Sequence, residues 1–354
     1  MHNTYIPPWW LNNGVLMTVY VALKMSKIWS ETLKESEPIY KEQIFTGAQQ
    51  TPIFGKIAIP ENPKGTIIGT YGITGDLDNQ WFLQILGRKA YARDYAVVVF
   101  DWRAHGKTAQ LSSTLTSDGL NEGQDFVAIA AQAKSLGCPA PFWFTGYSLG
   151  GQLALWGVHY AQEQLLDPDV ETEDFSSLQS SEIGGGAVIC PNLDSNRSLA
   201  YLEAHPIGKY IEKAIASELK KLAVKLHEYH PHDIDLAAVN RANTIRDFDR
   251  ELVISKLGFA SVTEYYQACN LFNILPEINR PTLILYAADD PLFEQSVIPD
   301  LEAACRRNSN LELILTEHGG HVGYISSETC RQQHGDQDCW WAWNRILDWC
   351  DQEV

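Results

Sequence analysis

Residues 146–151 read Gly-Tyr-Ser-Leu-Gly-Gly and follow directly on the apolar run Pro-Phe-Trp-Phe-Thr at 141–145. This is the pattern of a buried strand that turns sharply at a serine into a helix opened by small residues, Leu149 to Ala154. At such a turn the serine backbone is strained and its hydroxyl projects from the end of the sheet. The strain brings the residues two before and two after the serine together, so Gly146 and Gly150 must both lack side chains. Ser148 is therefore a candidate nucleophile.

The rest of the chain alternates short apolar runs with longer helical patterns, which predicts an α/β fold with a mostly parallel sheet and crossover helices. Eight strands are expected, at 41–45, 53–59, 66–70, 96–100, 142–145, 186–189, 282–286 and 311–315. The first two alternate polar and apolar residues and read as an antiparallel edge hairpin. The other six have the near-continuous apolar character of strands buried on both faces. Flanking helices are expected at 79–94, 120–136, 149–165, 294–307 and 339–351.

Two stretches break this rhythm. Residues 165–183 are acidic and serine-rich and read as a surface loop. Residues 192–276 carry no clear strand but hold helical segments at 210–226 and 246–257. An insertion at that point sits over the carboxyl ends of the central strands, where α/β sheets bind ligands. It is read as a helical lid, with Leu199, Tyr201, Tyr210, Leu257, Phe259 and Tyr265 as apolar lining. The expected organisation is an N-terminal extension at 1–38 docked on the body, a core at 39–191 and 277–354, and a lid at 192–276.

Composition narrows the function classes. With 45% hydrophobic residues among 354, the chain can build a large core. A net charge of -17 without a dense Lys/Arg cluster argues against a nucleic-acid partner. Seven thinly spread cysteines fit free thiols in a reducing cytoplasm, with Cys330 and Cys339 the one pair placed to close a C-terminal loop. The apolar run 14–23 is too short to span a bilayer and reads as a docked helix. Its alternative is peripheral membrane contact, with Trp9 and Trp10 at headgroup level.

A serine hydroxyl needs a general base, and a histidine base needs an orienting acid. After such a turn the expected chain order is serine, acid, histidine. The strand at 282–286 ends in Ala-Ala-Asp289-Asp290-Pro291, and the strand at 311–315 ends in Thr-Glu-His318-Gly-Gly-His321. Asp290, just before Pro291, is the preferred acid, with Asp289 and Asp194 as alternatives. His321, presented by a double glycine, is preferred over His318. The oxyanion donors are assigned to the backbone N–H groups of Leu149 and Ile73, with Thr74 as runner-up to Ile73. Arg103 and His105, in the turn after 96–100, are read as structural. His227, His230 and His232 match no zinc spacing, and no phosphate loop or dinucleotide fingerprint is present, so neither metal nor cofactor is expected.

At these residues the chain resembles the α/β-hydrolase fold, and within it the YheT-like family that includes bacterial esterases and ABHD1/2/3-type lipases. The resemblance runs from Pro8-Trp9-Trp10-Leu11-Asn12-Asn13-Gly14 to the final histidine loop, through Tyr71–Gly75, Gly146–Gly151 and Asp289-Asp290-Pro291. It also takes in Asp249, Gly258-Phe259 and Glu264-Tyr265-Tyr266. Departures are Asn270 for Ser or Thr, Val15 for a histidine, Tyr71 for a histidine and Ala104 for a glycine. The resemblance implies nucleophile, acid and base at Ser148, Asp290 and His321. The expected activity is hydrolysis of acyl esters, including lipid-derived ones, through an acyl-enzyme. An acyltransferase with the same triad and a catalytically silent binding protein are the alternatives.

Overall fold

The computed structural model describes residues 4–164 and 178–353. The eight strands form one sheet: β1 (Lys41–Thr46), β2 (Pro52–Ala58), β3 (Gly65–Thr70), β4 (Tyr95–Phe100), β5 (Phe142–Tyr147), β6 (Ile183–Ile189), β7 (Thr282–Ala287) and β8 (Leu311–Thr316). Their spatial order is β1-β2-β4-β3-β5-β6-β7-β8. β2 runs antiparallel to both β1 and β4, and the pairs from β4 to β8 are parallel. β3, β4, β5 and β7 are buried throughout, as their unbroken apolar runs require. β8 departs from the expected two-faced burial. It is the sheet's edge and leaves Glu312 exposed.

The five expected flanking helices are Trp81–Tyr91, Glu122–Ser135, Leu149–Gln164, Val297–Arg307 and Trp341–Glu353. Most of the serine-rich stretch expected as a loop, residues 165–177, lies outside the described residues, and Ser180–Glu182 form a short helical turn. The cysteines are all free, Cys330 and Cys339 included. Parallel pairing brings the carboxyl ends of β5, β6, β7 and β8 to one edge. At about 4.8 Å per strand, the loops after β5 and β8 leave the sheet only ~14 Å apart.

Between β6 and β7 the chain is helical, with helices Ser195–Ala204, Pro206–Tyr229, Leu236–Arg241 and Val262–Ala268. These share a second apolar cluster, separate from the main core, that includes Leu202, Leu219, Leu226, Val239 and Phe248 and closes on Ala104, Ala109 and Leu115 of the body.

The N-terminal segment also belongs to the body. Asn13 caps the helix Gly14–Tyr20 by accepting the Leu16 N–H at 3.1 Å. Met17, Val21 and Met25 are buried, and Leu16, Val19 and Leu23 face outward. Tyr5 donates to the Ile325 carbonyl, the Ser327 N–H to that of Ile6, and the Trp340 indole to Thr32 Oγ1 at 2.8 Å. Among the described residues no helix is long and apolar enough to cross a membrane.

Candidate active site

Ser148 stands between β5 and the helix Leu149–Gln164 with φ at +54°. That left-handed backbone is rare for a residue with a side chain and marks stored strain. Its N–H donates to the Ile189 carbonyl at 3.0 Å, tying the turn to the neighbouring strand. The flanking glycines are there for space. A Cβ on Gly146 would lie 2.2 Å from the Gly150 carbonyl oxygen, and one on Gly150 would lie 2.4 Å from that of Tyr71. Ser148 is 8% exposed, and its hydroxyl makes no hydrogen bond with another described residue.

The acid loop follows β7 and the histidine loop follows β8. His321 Nδ1 lies 2.8 Å from Asp290 Oδ2. A carboxylate can only accept, so the ring proton sits on Nδ1 and Nε2 is left as the basic nitrogen. Asp290 Oδ1 accepts the Leu292 N–H at 2.9 Å, which fixes the carboxylate plane. Phe293 meets the imidazole edge-on at 5.3 Å between ring centres.

Asp289 takes other partners. It accepts from the Gly320 N–H at 2.9 Å and pairs with His318 at 3.2 Å, and burial raises its carboxyl above the ordinary range. Asp194 caps the helix Ser195–Ala204 through the Arg197 N–H and accepts from Asn270 Nδ2 at 2.9 Å. Asn270, one of the departures noted in the sequence, thus has its amide on a helix cap.

The loop after β3 passes directly over the serine. A Cβ on Gly72 would lie 3.0 Å from Ser148 Cβ. Gln80 braces this loop, accepting from the Tyr147 hydroxyl and donating to the Thr74 carbonyl. Asp101 holds its base, accepting from Tyr71 at 2.6 Å and from the Leu77 N–H at 2.8 Å, and burial pushes its carboxyl up to about 6. Ile73 and Leu149 both border the cavity onto which Ser148 opens.

That cavity is about 100 Å³. One water needs only ~10–15 Å³ on this measure, so the space admits a chain of atoms. The body side is Ile73, Leu149, Leu292 and Phe293, and the roof is Leu199, Leu202, Ile215, Leu219 and Phe248 of the helical segment. Of the six lid residues singled out from sequence, Leu199 alone borders it. Tyr210 is 78% exposed, Tyr265 is buried in the second cluster, and Leu257 and Phe259 border a different surface hollow.

One corner of the cavity is polar and was not anticipated as a unit. Asp118, on the body, and Asp249 and Tyr266, on the helical segment, meet there, with the Tyr266 hydroxyl bonded to Asp249. Burial pushes the Asp249 carboxyl up to about 7 and that of Asp118 well above its ordinary range. In sequence these groups sit 131 and 17 residues apart, so only the family resemblance at Asp249 and Tyr266 hinted at their importance.

The remaining candidates have structural partners, although His105 borders the cavity. Arg103 makes a fully buried two-bond ion pair with Asp125, at 2.8 and 2.9 Å, and donates to the Ala48 carbonyl. His105 stacks on Trp102 at 3.6 Å, and burial lowers its pKa to about 4. His227 and His230 bond the carbonyls of Ile234 and Ala109.

Comparison with known proteins agrees with this architecture. The model of the alpha/beta hydrolase family matches residues 75–331. "Putative esterase slr0264" of Synechocystis sp. is 51% identical, covering 99% of this chain and 95% of that protein. "Putative esterase YheT" of Escherichia coli is 38% identical over 33% of this chain and 32% of its own length. "Phospholipase ABHD3" of Mus musculus is 26% identical over 77% of this chain and 62% of its own. Among solved structures, the Pyrococcus furiosus esterase Pf2001 aligns with a TM-score of 0.52 at 17% identity, covering 85% of this chain and 92% of that one, a likeness of fold. With a family model over most of its length and a relative at half its residues identical, the chain is a hydrolase belonging to the α/β-hydrolase family, among its YheT-like members.

Proposed function

We propose that the chain hydrolyses carboxylic esters through an acyl-enzyme, with Ser148 as nucleophile, His321 as general base and Asp290 as the orienting acid. The observation that carries this reading is the 2.8 Å contact between His321 Nδ1 and Asp290. It leaves Nε2 as the basic nitrogen of a histidine on the same sheet edge as a strained serine. In the first half-reaction, Nε2 takes the Oγ proton as Oγ attacks the ester carbonyl. The proton then passes to the departing alcohol. Asp290 stabilises the imidazolium that forms. In the second half-reaction, water loses a proton to Nε2 and attacks the acyl carbonyl, which frees the acid and restores the serine. The N–H groups of Leu149 and Ile73 serve the developing oxyanion.

The acyl chain of the substrate lies in the apolar cavity beneath helices 195–204 and 206–229, which makes residues 192–276 the lid. The apolar lining favours lipid-derived esters, a reading supported by the lipase named among the relatives. The outward face of Trp9, Leu16, Val19 and Leu23 gives the N-terminal segment a surface for peripheral contact with lipid. The test is turnover of a p-nitrophenyl ester series of increasing chain length by wild type and Ser148→Ala. Ester cleavage that survives Ser148→Ala overturns the proposal, and acyl transfer to an added alcohol at the expense of water would make the chain a transferase.

A further inference from the structure

The double glycine that presents His321 also leaves it loosely held. Gly319 and Gly320 have φ at +157° and +59°, so the backbone entering His321 has a glycine's freedom. Asp290 anchors the ring at one atom and Phe293 touches its edge. Neither contact fixes the backbone from which the ring projects. A general base has to be held to a fraction of an ångström, so something else must hold that backbone.

The N-terminal helix does so. The His321 N–H donates to Thr18 Oγ1 at 2.8 Å, across 303 residues of chain. The Thr18 hydroxyl donates its own proton to the Gly14 carbonyl at 2.7 Å. With its proton committed there, the oxygen presents a lone pair to His321. The preceding amide, Gly320 N–H, is taken by Asp289 at 2.9 Å. Two successive amides of the histidine loop are thus each held by a side chain, one from the acid loop and one from the N-terminal helix.

The close approach depends on missing side chains. A Cβ on Gly320 would lie 2.6 Å from the Gly14 carbonyl oxygen and 2.8 Å from Thr18 Oγ1. A Cβ on Gly14 would lie 1.7 Å from the Asp289 carbonyl oxygen. Helix Gly14–Tyr20 therefore presses on both loops that carry the acid and the base.

We infer that Thr18 is a positioning residue for the general base, and that the N-terminal helix is part of the catalytic apparatus. This rests on the reading of His321 as that base. Thr18 touches neither substrate nor the reacting atoms and acts through the His321 backbone.

Thr18→Val keeps the branched shape and removes the acceptor, whereas Thr18→Ser keeps the acceptor and removes the methyl. Both are assayed on a p-nitrophenyl ester beside wild type and His321→Ala, with folded content followed by circular dichroism. Thr18→Val is expected to lower kcat about tenfold or more with KM within twofold of wild type, and to shift the acid limb of the kcat–pH profile. Thr18→Ser is expected to recover most of the turnover and the wild-type profile. Wild-type kcat for a folded Thr18→Val overturns the inference, as does an equal loss in Thr18→Ser. So does a fall in activity that only tracks the folded fraction. If His321→Ala retains full activity, the base assignment itself fails, a result separate from either outcome at Thr18.

Discussion

Asp289 and Asp290 are adjacent in sequence yet bind different histidines, Asp289 pairing with His318 and Asp290 with His321. The two carboxylates leave the loop after β7 in different directions. Asp289 also holds the Gly320 amide, so it braces the loop that Asp290 uses. Exchanging the acid for its amide at each position separates these roles. Asp290→Asn is expected to lower kcat by ~10⁴, the size of the loss when a serine hydrolase's acid can no longer hold the correct tautomer. Asp289→Asn is expected to cost far less turnover. Steady-state kinetics of the two variants decide it, and the reverse ranking would move the acid to Asp289.

Ser148 is expected to be the residue labelled by a fluorophosphonate probe. Peptide mapping of the adduct checks this, and a label on any other residue removes Ser148 as nucleophile. Labelling of His321→Ala is expected to slow by orders of magnitude, because the hydroxyl then lacks its base.

The polar corner of the cavity makes stability depend on pH. The Asp249 carboxyl has a folded pKa of about 7, well above its unfolded range near 4. Between those values the folded chain keeps a proton that the unfolded chain has lost. This contribution is whole below the unfolded pKa and is lost as pH rises toward 7. Asp249→Asn removes that titration while keeping an acceptor for Tyr266. The melting temperature of the variant is expected to fall less than that of wild type between pH 4.5 and 8. The difference amounts to at most about 1.4 kcal/mol per pH unit. Parallel curves would place the proton elsewhere, the nearest candidate being Asp118.

Arg103→Met leaves the buried Asp125 carboxyl without its partner in the core. Truncating one member of a buried pair typically costs ~3–5 kcal/mol, and a denaturant titration should return a loss of that order. A loss below about 1 kcal/mol would mean that Asp125 is neutral once Arg103 is gone.

Ile215→Ala tests the roof of the cavity. Ile215 borders the cavity and is only partly buried, so its removal should affect substrate fit more than folding. The preferred ester chain is expected to lengthen, with about tenfold or more discrimination per added methylene, because an apolar pocket distinguishes one methylene by ~1–3 kcal/mol. An unchanged chain-length profile would detach helix 206–229 from the substrate.

Much of the fold is legible in the sequence because its signals are local. Each strand is a short apolar run between turn residues, and the glycines around Ser148 report a backbone constraint that needs no knowledge of distant residues. β8 reads as buried on both faces because its apolar residues do not reveal that it has a neighbour on one side only. The residues that line the cavity from segment 192–276 are hidden for a related reason. Tyr210 and Leu199 both sit at helical spacing, and only packing decides that Leu199 borders the cavity while Tyr210 faces solvent. Thr18 left no trace at all. It is a small residue in an apolar helix, and its partner lies in a loop whose own signal is two glycines.

The bond between Thr18 and His321 also has a consequence for synthesis. The ribosome releases Thr18 303 residues before His321, and domains fold as their sequence becomes available. Until the loop after β8 emerges, Thr18 lacks the His321 amide, and Met17 lacks Gly323, which it packs against in the finished chain. Helix Gly14–Tyr20 is thus made long before its contacts with the histidine loop can form. A nascent chain stalled between the end of β6 and residue 321 holds the Ser148 turn without the histidine proposed as its base.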